Sequence, residues 1–151
     1  MGILSKTEIE ARYEIEVEEY ALRIQIEARV LGDIARNHII PTVIKYQNVL
    51  LENVKGLQAV FGKNPPALAG EQMELIRTIS DHVSAVNNAI TAMIEERKKA
   101  NKLEANKRAA AYCVKVIPYL GTIRRHCDKL ELLVDDSLWP LTKYRELLFT
   151  K

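Results

Sequence analysis

EQMELIRTISDHVSAVNNAITAMIEERKKANKL, residues 71–103, is the stretch that decides the fold. Ile76, Ile79, Val83, Val86, Ile90, Met93, Arg97 and Ala100 step by three or four without a miss, the spacing of one face of an α-helix. No Gly or Pro interrupts the run. At 1.5 Å per residue such a helix is about 50 Å long, so neighbours of similar length are needed to cover its apolar face.

The flanking sequence supplies them. Downstream, residues 105–134 place Ala109, Cys113, Val116, Leu120, Ile123, Cys127, Leu130 and Val134 on one helical face, with Pro118 and Gly121 predicting a bend near the middle. Upstream, Val43, Gln47, Leu50, Val54, Leu57 and Phe61 mark a helix over 42–61, stopped by Gly62 and by Asn64-Pro65-Pro66. Residues 62–70 read as the clearest loop.

The first segment, 7–40, carries two stripes. One follows Tyr13, Val17, Tyr20, Ile24, Ala28, Leu31 and Ala35; the other follows Ala11, Ile15, Leu22, Ile26 and Val30. Two stripes predict contacts on two sides of the helix. Ser5 and Glu8 have the spacing of a capping box, and Pro41 is expected to kink or end the helix. Period-two alternation and hairpin dipeptides are missing. The expected architecture is all-α: an antiparallel bundle of about four long helices, with proline kinks near Pro41 and Pro118 and a docked C-terminal tail, in a single domain over 1–151.

The chain's 151 residues are 48% apolar, enough for one domain with an aliphatic core. Its 22 basic and 20 acidic residues leave a charge of +2, with no overall pull toward nucleic acid or anionic lipid. No apolar run approaches the ~18 residues of a membrane span. The start, Met1 to Lys6, misses a myristoylation motif because Lys6 stands where Ser or Thr is needed. Cys113 and Cys127 lie about 21 Å apart along one helix, too far for a bridge, and read as two buried thiols in a cytoplasmic protein.

Candidate chemistry is sparse. His38, His82 and His126 lack the Glu-x-x-His spacing of a di-iron bundle, and there is no HExxH or CxxC. Glu10, Glu14 and Glu18 share a face that could hold an ion or do acid–base work, but reads more simply as a solvated helix start. Arg97, Lys98, Lys99, Lys102, Lys107 and Arg108 could meet phosphates, yet acidic residues interrupt them and no aromatic is interleaved. Phosphate-cradling glycine motifs are missing. We expect no catalytic, cofactor-binding or metal-binding residue in this chain, and neither a nucleic-acid nor a membrane partner.

The tail, 135–151, is the most informative piece. Trp139, Tyr144, Leu147, Leu148 and Phe149 form a candidate interface that would be costly to leave in water. Either it seals the end of the bundle or it docks onto a neighbour; both readings stand.

At this point the residues resemble a family. CDKLELLVDDSLWPLTKYRELLFTK, residues 127–151, closely resembles the end of type III glutamine synthetases, the long bacterial form. ILSKTEIEARYEIEVEEY, residues 3–20, looks like the segment after that family's catalytic region, and ARNHIIPTVIKYQN, residues 35–48, is similar to its proline-interrupted helix. NKLEANK, residues 101–107, departs from the Pro-containing turn usual there, which leaves room for the two flanking helices to run closer together. The resemblance implies a C-terminal helical fragment of an enzyme that joins ammonia to glutamate using ATP and divalent metal bound upstream. No catalytic residue of the family has a matching position here. It also implies packing against the catalytic region and neighbouring subunits of a dodecamer. A free-standing helical interaction module is the alternative.

Overall fold

The computed structural model describes residues 5–62 and 66–147, and for 66–68, 144 and 145 the backbone alone. Helices dominate, and no strand occurs among the described residues. The elements are α1 (Lys6–Ile34), α2 (Ile40–Phe61), α3 (Pro66–Ala100), α4 (Ala105–Ala111), α5 (Ile117–Leu133) and a single turn, α6 (Tyr144–Leu147). The class is the all-α one that the apolar periodicity predicts.

The helices are fewer and longer than four bundle rods, because neither central proline stops its helix. A π-helical turn, Ala35–Ile39, joins α1 to α2, and another, Tyr112–Val116, joins α4 to α5. In each case the residue just before the proline donates its N–H five residues back: Ile40 to the Ala35 carbonyl, Ile117 to the Tyr112 carbonyl. A proline in an α-helix lacks an N–H and drives its ring into the carbonyl four residues earlier. The wider turn relieves that clash without breaking the rod. Pro41 and Pro118 are therefore bridged, and three long helical runs result.

Terminal signals act as expected. The Ser5 N–H and hydroxyl both reach Glu8 Oε2, at 2.7 and 3.0 Å, and the Glu8 N–H donates to Ser5 Oγ at 3.3 Å. The Ser5 backbone N–H holds the Glu8 carboxyl below its usual pKa. At the other end of the first run, Gly62 takes a φ of +88° while its N–H returns to the Gln58 carbonyl at 3.0 Å. That backbone conformation favours glycine. α3 opens at Pro66, inside the segment expected to be loop, with a non-helical Ala69 (φ −122°) marking where its regular part begins.

Two compact units emerge, each drawing on several helices. The first comprises Met1–Gly32 and Asn88–Ile123. Its buried apolar residues are Ala21, Ile24 and Ala28 of α1, Ala89, Ile90, Met93 and Ala100 of α3, and Tyr112, Val116 and Ile123 of the third run. Gly32 lets α1 approach α3 closely: a Cβ there would lie 3.3 Å from Met93 Cε and 3.8 Å from Ile90 Cγ2. The 101–104 turn closes on itself, as Lys102 and Leu103 donate to the Lys99 and Ala100 carbonyls and the Arg108 guanidinium caps the Leu103 carbonyl. Tyr112 is fully buried and its hydroxyl donates to Asn101 Oδ1 at 2.6 Å, tying this turn to the helix that follows.

The second unit comprises Asp33–Asn87 and Arg124–Lys151. Ile39, Ile40, Val43 and Leu50 are buried on the first run, Ile79 and Val86 on α3, and Cys127, Leu130 and Val134 on the third run. Gln47 donates to the Ile76 carbonyl at 3.1 Å and to Ser80 Oγ at 2.9 Å, a polar tie between α2 and α3. Burying each such aliphatic side chain contributes about 1.5–3 kcal/mol before chain entropy is counted, which is why the stripe at 76–100 dominates the architecture.

Both cysteines were expected to be buried, well apart on one helix. Cys127 is buried, and burial lifts its thiol to about 11; Cys113 is exposed. The π turn is the cause: it advances the helix by one residue, and Tyr112 takes the interior position that simple periodicity gives to Cys113.

Removing the Tyr112 hydroxyl isolates the turn lock. Tyr112→Phe should lower stability by about 0.5–1.5 kcal/mol and Tyr112→Ala by about 3–5 kcal/mol. Urea denaturation followed by circular dichroism reads both, and a Tyr112→Phe variant as stable as the unchanged chain would show that the hydroxyl contributes nothing.

Candidate functional site

α1 is the element whose apolar residues outrun its partners. From Ser5 to Tyr20 every side chain is exposed except Val17, which is half-buried. Ile9, Tyr13 and Tyr20 continue the face that Ala21, Ile24 and Ala28 bury further along, yet Tyr13 is 57% exposed. The second stripe is bare along its whole length: Ile15, Leu22, Ile26 and Val30 are each 51–56% exposed, and Ala11 is exposed too. At 100° per residue these positions lie on the side of the helix roughly opposite Ala21, Ile24 and Ala28. One flank of α1 is therefore packed in its own unit and the other is apolar and open.

Sequence periodicity locates this surface, since both stripes are legible in it. It does not tell which stripe is covered. The covering depends on where Ala28 and Gly32 allow close approach to Ile90 and Met93.

The tail forms the second feature. α5 ends at Leu133, and Asp135 organises the turn after it. Asp135 Oδ1 accepts from the Ser137 N–H and hydroxyl, both at 2.7 Å, and those bonds hold its carboxyl below the usual range. Lys143, with only 14% of its side chain exposed, reaches back to the Glu131 carbonyl at 3.1 Å and pairs with Asp136. This clamp folds 135–143 against the end of α5 and leaves Leu138 and Trp139 half-buried. Of the candidate interface residues, Trp139 is thus partly covered by the chain itself. Leu147 is 58% exposed at the end of α6. Tyr144 lies on the α6 backbone, its side chain outside the described residues, as are Leu148 and Phe149 altogether. Lys143 was not singled out from the sequence; a lysine seven residues after an aspartate gives no local signal.

The titratable clusters behave as surface groups with one exception. Lys98, Lys99 and Lys107 pair with Glu95, Glu96 and Glu104 at 2.9, 2.7 and 3.9 Å, each three residues back. The hydrogen bond with Lys99 lowers the Glu96 pKa and raises that of Lys99. Much of the basic cluster is therefore neutralised within its own helices. Glu10 pairs with Lys6 at 3.8 Å. Among the described residues no three His, Cys, Asp or Glu side chains gather closely enough to hold a metal ion, and no helix is long and apolar enough to cross a membrane. The exception is His82 with His126, two half-buried rings on different helices whose Nδ1 atoms are 2.9 Å apart. Their spacing of 44 residues hid this contact from the sequence.

The structure presents a helix flank with open apolar side chains and a clamped tail.

Residues 1–58, which include both stripes of α1, match the family described as the glutamine synthetase C-terminal domain. The chain is 48% identical over 151 residues to a glutamine synthetase of Bacteroides fragilis and 30% identical over 156 to a type-3 glutamine synthetase of Dictyostelium discoideum, in each case across 99% of this chain. A glutamine synthetase of Butyrivibrio fibrisolvens matches at 25% identity. The chain spans 21% of the length of each of these relatives.

The clamp makes its own prediction. Lys143→Met should cost about 1–2 kcal/mol, the value of a charge-assisted hydrogen bond lost from a poorly solvated site. Trp139 should then become more accessible, read as stronger acrylamide quenching and a red-shifted emission. An unchanged spectrum would show that Lys143 does not hold the tail.

Proposed function

We propose that this chain, which belongs with the C-terminal domain of the glutamine synthetases, is a non-catalytic structural part of such an enzyme and seats the rest of the enzyme on the open flank of α1. The single observation that supports this reading is the bare stripe Ile15, Leu22, Ile26 and Val30, directly behind a flank that is already packed. A surface helix of a self-sufficient domain is polar on its outer side. On α1 four large aliphatic side chains, Ile15, Leu22, Ile26 and Val30, stand on that outer side, with Glu19 among them.

In this reading the parent reaction is the ATP-dependent ligation of ammonia to glutamate, carried out by residues outside this chain. The chain's own contribution is mechanical. The first helical run supplies an apolar ridge, and the clamped tail, with Trp139 and Leu147, supplies a second contact for the catalytic region or for a neighbouring subunit. Assembly into a larger oligomer in the cytoplasm follows from the same reading, as do ATP and divalent metal as ligands of the parent alone.

Charge in the open flank separates this role from a purely internal one. Leu22→Asp with Ile26→Asp should lower the stability of the isolated chain by only about 1–2 kcal/mol, the cost of poorer helix formers and of like charges four residues apart, because both positions are largely solvated. Introduced into a glutamine synthetase that carries this region, the same pair should lower the oligomeric mass or the synthetase rate by at least an order of magnitude. Light scattering and a glutamine-formation assay read the two effects. A parent enzyme that keeps both its mass and its rate sinks the proposal.

A further inference from the structure

His82 of α3 and His126 of α5 meet within the second unit, with ring centroids 5.1 Å apart, planes inclined by 56° and Nδ1 atoms separated by 2.9 Å. That separation is a hydrogen bond, and in the neutral pair it requires a different tautomer of each ring. One Nδ1 carries a hydrogen and donates; the other Nδ1 must offer a lone pair, so its ring carries its hydrogen on Nε2. A single further proton can be absorbed at the donor ring's free Nε2, which turns the contact into a charge-assisted bond between imidazolium and imidazole. A second proton has only the accepting Nδ1 left to occupy. It would set two N–H groups head-on between two positive rings.

We propose that the His82–His126 pair is a proton-counting latch between α3 and α5, closed with no extra proton or with one, and opened by the second. The surroundings favour opening in acid. Burial is the largest influence on His126 and opposes its charging, followed by His82 across the contact and by Arg125 and Lys129 on its own helix; no carboxylate is among them. Asp81, next to His82 in sequence, is exposed. The first helical run meets α3 nearby through Gln47, which is uncharged and already bonded to the Ile76 carbonyl and Ser80. The latch also bears on the tail, since Lys143 is tied to the Glu131 carbonyl on the same α5, five residues beyond His126.

The sign of the pH effect follows. His126 is held below the ordinary histidine value of 6.5 in the folded chain, so the unfolded chain takes up protons first as the solution is acidified. The stabilisation is complete above about pH 6.5 and is lost as pH falls below it, by up to about tenfold in the folding constant per pH unit until the folded pair itself charges.

Long-range 1H–15N spectra of the imidazoles in the full chain, recorded from pH 8 to 4.5, test this directly. The expected result is two different neutral tautomers for His82 and His126 at high pH, then two separated protonation steps, the second well below 6.5. Identical tautomers, or two independent single-proton curves both centred near 6.5, would overturn it. Denaturation of His126→Gln and of the His82→Gln/His126→Gln double variant gives a second readout. Gln can keep a neutral hydrogen bond but cannot titrate, so both variants should lose most of the acid dependence between pH 6.5 and 5. A slope equal to that of the unchanged chain would also overturn the latch.

Discussion

The structure depends on how a proline is carried inside a helix. Pro41 and Pro118 would each end a regular α-helix, and a chain broken at both points would fold as five short rods joined by corners. The i to i+5 bonds at Ala35–Ile40 and Tyr112–Ile117 prevent this. They admit one additional residue to the turn and keep the rod whole. The first run can then contribute Ala21, Ile24 and Ala28 to one unit and Ile39, Val43 and Leu50 to the other. The same opening in the third run sends Tyr112 inward and Cys113 outward, and so builds the Tyr112–Asn101 lock on the neighbouring turn.

Much of this is legible in the sequence, for a plain reason: apolar spacing and terminal signals act locally. The 76–100 stripe is buried or half-buried at every position it names, including Arg97. The Ser5–Glu8 capping box and the Gly62 stop act where their residues stand. What could not be read is anything that shifts phase or joins distant positions. The sequence shows two prolines but not the π turns that absorb them, so it predicts a kink or stop at Pro41 and a bend near Pro118, and places Cys113 inside. It shows three histidines but not that two of them face each other, because 44 residues of helix and turn lie between them.

The candidate surface shows the same division. Both stripes of α1 are visible as patterns, and the outer one is uncovered, whereas the close approach that helps cover the inner one is made at Gly32, a small residue that carries little signal of its own. For the tail, the apolar residues are evident and their anchor is not. Lys143 holds the segment through its ammonium group, and a lone lysine beside apolar residues looks in the sequence like any solvated side chain. Resemblance to the glutamine synthetases covers nearly the whole chain.

A rod gripped on opposite flanks cannot relieve strain by rolling. With α1 pinned on its inner side by the approach of Gly32 to Met93, and seated on its outer side as proposed, any rotation that eased one contact would pry open the other across a backbone cylinder only about 5 Å wide. Such a helix behaves as a wedge. Slackening in the core behind it would be transmitted to whatever rests on its front, so substitutions far from any reacting atom could still be felt there as altered alignment.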